Sequence, residues 1–224
     1  MSEVKTRPIL FSAPMVCALI DRKKTQTRRV IKNHPLVHAG FSDDFIKLPE
    51  NYVADDCPYG KVGDRLWVRE TWGVNLRMVG NTPHEQVCFR ATNPKAVDNQ
   101  WLKNPVKWKP SIHLKKCLAR IELEIIDLRV ERLMELSDQD AINEGLSKVS
   151  KDGKLYKYGI PDQDGLPGTD NHGWEWQDWC VDPVEAFKRL WDSINGKHET
   201  KCWDANPWVW VIDFKVVSTT GLTQ

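Results

Sequence analysis

The sequence is short of excess charge, of paired cysteines and of long apolar runs, and each shortage excludes a class of protein. Its 32 Lys and Arg stand against 31 Asp and Glu, a formal net charge of +1. The electrostatic footprint of an unselective nucleic-acid coat is therefore missing, and any contact with RNA has to come from a local patch. The six cysteines (Cys17, Cys57, Cys88, Cys117, Cys180, Cys202) form no C-x-x-C pair, which fits reduced thiols rather than a disulfide framework or a zinc ribbon. None of the six histidines belongs to an H-E-x-x-H motif, and His113, Cys117 and Cys180 have no zinc-ligand spacing; no metal and no cofactor are expected. No stretch approaches the roughly 18 apolar residues of a membrane span, and the opening MSEVKTRPILFS has no apolar signal region. The chain reads as cytoplasmic, without membrane contact.

What is present is enough for one core. At 224 residues, 41% of them hydrophobic, a single domain over residues 1–224 is expected. Residues 8–12 (PILFS) read as a first strand, followed by a short helix through Met15, Val16, Leu19 and Ile20. Residues 65–72 (RLWVRETW) alternate as a strand behind the Gly63-Asp64 turn, with residues 87–91 (VCFRA) as its partner. Residues 119–133 begin as a half-buried strand and bend midway. In residues 137–146 the Ser137/Asp140 spacing predicts a capped helix ended by Gly145, with Glu144 at its terminus. Asp182 and Pro183 open the most regular helix, whose stripe is Val184, Phe187, Leu190, Trp191 and Ile194. Residues 207–217 (PWVWVIDFKVV) read as a closing strand, and residues 147–180, polar and without a clean period, as an insertion or lid. Strands with interposed short helices predict an α+β fold built on a small, closed or nearly closed β-barrel.

Eleven tryptophans are the compositional oddity. Trp67, Trp191, Trp208 and Trp210 stand at periodic positions and read as core. Trp72, Trp101, Trp108, Trp174, Trp176, Trp179 and Trp203 stand at strand ends or in loops, where stacking on a base and anchoring a loop are equally open.

Three segments together resemble the ASCH family of the PUA-like superfamily: KTQTRR at residues 24–29, KVGDRLWVRETW at residues 61–72 and DAINEG at residues 140–145. The similarity runs over most of the chain outside residues 147–180 and looks like the larger phage and prophage members. One position departs from it, Arg22 standing where the family usually has glycine. The resemblance implies a PUA-like barrel with a cleft suited to RNA or modified nucleosides. Small members include an N4-acetylcytidine amidohydrolase whose catalytic Lys and Thr lie in a K-T-x-T motif and whose Glu lies on a later helix. Those positions correspond to Lys24, Thr27 and Glu144.

Such residues suit amide hydrolysis, which needs a nucleophile, a proton donor for the leaving amine and stabilisation of the developing oxyanion. Like charge from Arg22, Lys23, Arg28 and Arg29 would disfavour the Lys24 ammonium, leaving an amine able to take the Thr27 proton. Glu144 would then serve the leaving amine and the deacylating water; alternatively, Glu144 activates water directly while Lys24 and Thr27 polarise the acyl group. Arg22, Thr25, Gln26, Arg28, Arg69, Glu70, Trp72 and Trp108 are the candidate substrate-binding residues. The basic run reads equally as a solvated loop, Thr27 as an ordinary strand residue and Glu144 as a surface acid. The expected partner is a nucleoside or RNA, on a monomer or weak homodimer with a protein partner left open. A non-catalytic RNA-binding module and a ribonuclease using the same cleft are the alternative functions.

Overall fold

The computed structural model describes residues 4–31, 57–97 and 104–220. Trp101, His34 and His38, considered above, lie outside the described residues.

Among the described residues nine strands and three α-helices make a mixed α+β structure. In chain order they are β1 (Thr6–Leu10), α1 (Ala13–Ile20), β2 (Gln26–Val30), β3 (Arg65–Arg69), β4 (Trp72–Val79), β5 (Thr82–Phe89), β6 (Glu122–Arg132), α2 (Asp138–Asn143), β7 (Ser147–Ser150), β8 (Tyr156–Gly159), α3 (Pro183–Asn195) and β9 (Trp208–Ser218). Five strands form the main sheet in the order β1-β3-β6-β9-β2, while β4-β5 and β7-β8 are separate hairpins. The β1-β3 pair is parallel and the other pairs of the main sheet are antiparallel.

The position of β9 explains its composition. It lies between β6 and β2 with both faces covered, so Val209, Trp210, Val211 and Ile212 are all buried in succession, as a two-sided central strand requires. With Leu66, Val68, Ile121, Leu123 and Ile125 they make one core, onto which α1 brings Val16 and Leu19 and α3 brings Phe187, Leu190 and Trp191. Each such aliphatic side chain contributes roughly 1.5–3 kcal/mol on burial. A smaller cluster of Trp67, Trp72, Leu114 and Ala119 lies under the β4-β5 hairpin.

Several expectations shift in detail. The first strand runs Thr6–Leu10, two residues earlier than residues 8–12, because its register is set by β3, with Thr6 opposite Arg65 and Leu10 opposite Arg69. Residues 65–72 are two elements: β3 ends at Arg69, and Trp72 opens β4. The segment around residues 87–91 pairs with β4, Trp72 facing Phe89, and not with β3, whose neighbours are β1 and β6. The bend in residues 119–133 is a register shift at Ile125/Asp127 inside the continuous strand β6, a bulge that inserts one residue without ending the ladder. The cap of α2 is as expected, with Asp140 N–H donating to Ser137 Oγ at 3.2 Å and Ser137 N–H to Asp140 Oδ2 at 3.3 Å. So is that of α3, where Val184 N–H donates to Asp182 Oδ1 at 2.7 Å. Ile194, expected on the buried stripe of α3, is exposed.

Residues 147–180 are partly built into the core. They form the β7-β8 hairpin, bury Ile160 and Trp179, and bridge Tyr158 to Cys180. All six cysteines are free thiols, and burial, with Asp21 adding to it, pushes Cys17 up to about 11. Among the described residues no helix is long and apolar enough to cross a membrane.

Closure of the sheet into a barrel is not made by strand pairing among the described residues. The outer strands are β1 and β2, and they are linked by a side chain: Arg29 Nη2 donates to the Leu10 carbonyl at 2.6 Å. The seam holds the Phe11 ring, with the Arg29 guanidinium 5.0 Å and the Lys24 ammonium 5.5 Å from its centroid. Bulky side chains therefore stand where a ladder would run, and the candidate site opens there.

Candidate active site

A cleft of about 550 Å³ lies over this seam, walled by Leu10 to Met15, by β2 and by the face of α3. Lys24, Thr27 and Glu144 all line it. Each reaches it by a different local device. Lys24 follows α1 through a turn in which Lys23 and Lys24 N–H both donate to the Ala18 carbonyl, at 2.9 and 3.1 Å. That turn requires a left-handed residue, and Arg22 supplies it at φ +56°, the conformation for which glycine is the usual choice. Arg22 itself lies outside the cleft lining, its Nη1 donating to the Val216 carbonyl at 3.0 Å. Thr27 is placed by the β2-β9 ladder, opposite Ile212. Glu144 is the C-cap of α2, whose last helical residue, Asn143, accepts from Thr25 N–H at 2.9 Å and so ties the helix end to the start of β2.

Lys24 and Glu144 form a buried pair, 1% and 4% exposed. Lys24 Nζ donates to Glu144 Oε2 and to the Glu144 carbonyl, both at 2.7 Å. Burial pulls the Lys24 ammonium below the ordinary lysine range against the resistance of the Glu144 carboxylate, and Arg29 and Arg28 add to the pull. The direction is the one expected from the basic run, but desolvation is the larger cause and like charge the smaller. Thr27 is 3% exposed, and no hydrogen bond to a described residue occupies its hydroxyl.

Gly145 backs this pair. It has φ +102°, and a Cβ there would lie 3.0 Å from Ala18 Cβ and 3.1 Å from Lys24 Cβ. Gly145→Ala is therefore expected to lose about 1–3 kcal/mol from left-handed strain and crowding together and to lower turnover by displacing Lys24, read by urea denaturation and kinetics on the same preparation.

Below the pair lies an ion network. The Arg28 guanidinium, fully buried, meets Glu131 at 3.2 Å, Asp140 at 3.4 Å and Glu144 at 3.5 Å, and it donates to Gln26 Oε1. Gln26 Nε2 donates to Asp213 at 2.7 Å and Asp140 at 3.0 Å. Arg129 bridges Asp213, Glu131 and Asp140 from the other side. Arg28 and Gln26, candidates for substrate contact, are thus committed to holding Glu144 and β2 in place.

Comparison of the chain with known protein families, with curated proteins and with solved structures returns no match. The site has to be argued from its own geometry.

The remaining candidates scatter. Thr25 is exposed beside the cleft lining, its carbonyl accepting from Phe214 N–H at 2.8 Å. Glu70 is 2% exposed and held bidentately by Arg120, with both contacts at 2.8 Å; it is a structural acid away from the cleft. Arg69 stacks on Trp67, its Cζ 4.7 Å from the ring centroid. Trp72 is buried in the second cluster under Lys109, and the Trp108 ring packs on Gly73. None of these lines the cleft. Among the loop and strand-end tryptophans, Trp72, Trp179 and Trp203 are buried and Trp108, Trp174 and Trp176 half-buried, so anchoring prevails over free stacking platforms.

The aromatics that do line the cleft are Phe11, Tyr59, Phe187 and Trp191. The sequence placed Phe187 and Trp191 in the core on their helical spacing; they are buried there and also present a wall to the cleft. Arg29 lines it as well, although the sequence weighed it only as background charge. Phe11 and Tyr59 carried no motif, and only the fold brings them in. No residue of the 147–180 segment is part of this lining, and no group of three or more His, Cys, Asp or Glu among the described residues is arranged to hold a metal ion.

Proposed function

We propose that the cleft is the active site of an amidohydrolase that removes an acyl group from the N4 nitrogen of a cytidine nucleoside or an RNA cytidine, in a chain related to the ASCH family and its PUA-like barrels. The observation that carries this reading is the buried Lys24–Glu144 pair beside Thr27 on the floor of an aromatic-walled cleft. Its volume of about 550 Å³ falls within the roughly 300–1,000 Å³ of small-molecule sites. Phe11, Tyr59, Phe187 and Trp191 offer faces to a base.

Both Lys24 hydrogen bonds go to Glu144 and none to Thr27, which favours the route in which Glu144 handles the proton. Glu144 takes a proton from water as the oxygen attacks the acyl carbon. The carbonyl oxygen, gaining negative charge, is met by the Thr27 hydroxyl and the Lys24 ammonium. The C–N bond then breaks as Glu144 returns the proton to N4, leaving cytidine and a carboxylic acid that ionises on release to water.

The test is turnover of N4-acetylcytidine, followed by the ultraviolet change on conversion to cytidine. Lys24→Met, Thr27→Ala and Glu144→Gln are each expected to lower kcat about 10²-fold or more, Glu144→Gln the most, with circular dichroism confirming the fold. An inactive parent protein that still binds RNA with a steep salt dependence would replace this reading with that of an RNA-binding module.

A further inference from the structure

Four side chains lining the cleft are cationic, Lys24, Arg28, Arg29 and Lys201, and one, Glu144, is a carboxylate. In a chain of net charge +1 this is a local concentration of one sign. Two of the four are accounted for. Lys24 is paired with Glu144, and Arg28, although its Nε also finds no partner among the described residues, has its charge met by Glu131, Asp140 and Glu144. Arg29 and Lys201 make no ion pair with a described carboxylate. Arg29 is the more telling of the two. One of its Nη atoms is spent on the Leu10 carbonyl, its guanidinium packs on Phe11, and its Nε is buried with no hydrogen-bond partner among the described residues. A half-buried guanidinium whose Nε is out of water and short of an acceptor is better satisfied when an anion arrives from outside. The hydroxyl residues Ser12, Thr71 and Ser111, together with His198, line the same cleft and can add donors to that anion.

We infer that the natural substrate of this cleft carries a phosphate monoester, bound by Arg29 and Lys201, so that the enzyme acts on a mononucleotide rather than a bare nucleoside. A guanidinium matches two phosphate oxygens at once, and a phosphate of charge near −2 suits two cations. Two unpaired cations also match one phosphate better than an RNA backbone, which engages a longer basic track. The contact assigned to Arg28 on sequence grounds passes to its neighbour, because the Arg28 charge is already met by three carboxylates, whereas Arg29 meets none among the described residues. The inference rests on the cleft being a cytosine nucleoside site.

Binding is measured rather than turnover, so that failure of the hydrolase reading and failure of this one can be told apart. By calorimetry, cytidine 5′-monophosphate is expected to bind the parent protein about tenfold more tightly than cytidine. Arg29→Gln should bring that preference below about threefold, Arg29→Lys should retain part of it and Lys201→Gln should give an intermediate value. Should Arg29→Gln not fold, the lysine variant and Lys201→Gln still decide. Equal affinity for the two ligands, or a preference untouched by both positions, overturns the proposal. An oligoribonucleotide bound about tenfold more tightly than the monophosphate, with a salt slope of several phosphates, overturns the mononucleotide assignment. Inorganic phosphate bound through Arg29, with cytidine and its monophosphate both ignored, upholds the anion site and removes the nucleoside reading.

Discussion

Glu144→Ala is expected to lower unfolding free energy by about 3–5 kcal/mol at pH 7, because it strands Lys24 and part of the Arg28 coordination in the interior. Removing one partner of a buried pair leaves the other charge desolvated and unpaired, and this costs more than the pair itself contributes. The loss has a pH signature. Without the carboxylate, burial pulls Lys24 down unopposed, so the folded state binds fewer protons than the unfolded one at any pH between the lowered value and the ordinary lysine value. Stability of Glu144→Ala therefore rises with pH through that window, as Lys24 sheds its proton in the folded state first. Glu144→Gln keeps an oxygen to accept from Lys24 Nζ and should lose far less stability while losing turnover as fully. The double variant Lys24→Met/Glu144→Leu, an apolar replacement of the whole pair, should recover most of the stability and none of the activity. Urea denaturation at pH 7 and 9.5 checks all three; a Glu144→Ala protein as stable as the parent at pH 7 would show that the pair is solvated and does not bear on the core.

Arg120→Met is expected to cost about 3 kcal/mol or more at neutral pH and to cost less in acid. Glu70 is buried, and burial already pushes its carboxyl above the ordinary range while Arg120 holds it down with two hydrogen bonds. Without Arg120 the carboxyl rises further. The folded state then binds a proton that the unfolded state has released at any pH between the ordinary glutamate value and the raised one. Stability therefore falls as pH climbs through that window and is regained as pH drops towards about 5 and Glu70 protonates. This is the reverse of ordinary acid denaturation. Melts at pH 5 and pH 7 read it directly, and a deficit that widens in acid would refute the assignment. Because neither Glu70 nor Arg120 lines the cleft, KM for substrate should stay near the parent value in Arg120→Met, which separates the structural acid from the residues of the site.

The two carboxylates show why one candidate reached the cleft and the other did not. The place of Glu144, its role being implied by the resemblance, was legible because a capping box, Ser137 with Asp140, sets where α2 begins and Gly145 where it ends, so the last residue before the glycine is at the helix end whatever surrounds it. Glu70 was read from alternation along residues 65–72, and alternation tells which residues share a face but not what covers that face. The chain breaks off β3 at Arg69, and the side chain that meets Glu70 arrives from Arg120, 50 residues away. Trp72 and Trp108 failed as site candidates for the same reason. An exposed aromatic and a loop anchor have one sequence signature, and burial decides between them.

Local rules thus determined the capped helices α2 and α3 and the strand character of β3, β6 and β9, while Lys24, Thr27 and Glu144 became a set worth testing through the family resemblance. They act over a few residues and survive in any environment. The tertiary structure decided the rest: the order β1-β3-β6-β9-β2, the seam where Arg29 bridges to Leu10 in place of a closing ladder, and the aromatic walls from Phe11, Phe187 and Trp191. It also decided which basic residue is spent and which is free. Arg28 and Arg29 are neighbours of one type in the sequence, and both line the cleft, but the Arg28 charge is met by the acids of β6 and α2 whereas Arg29 packs on Phe11. Charge pairing depends on which distant segments supply the counter-ions, and only the folded chain brings those segments together.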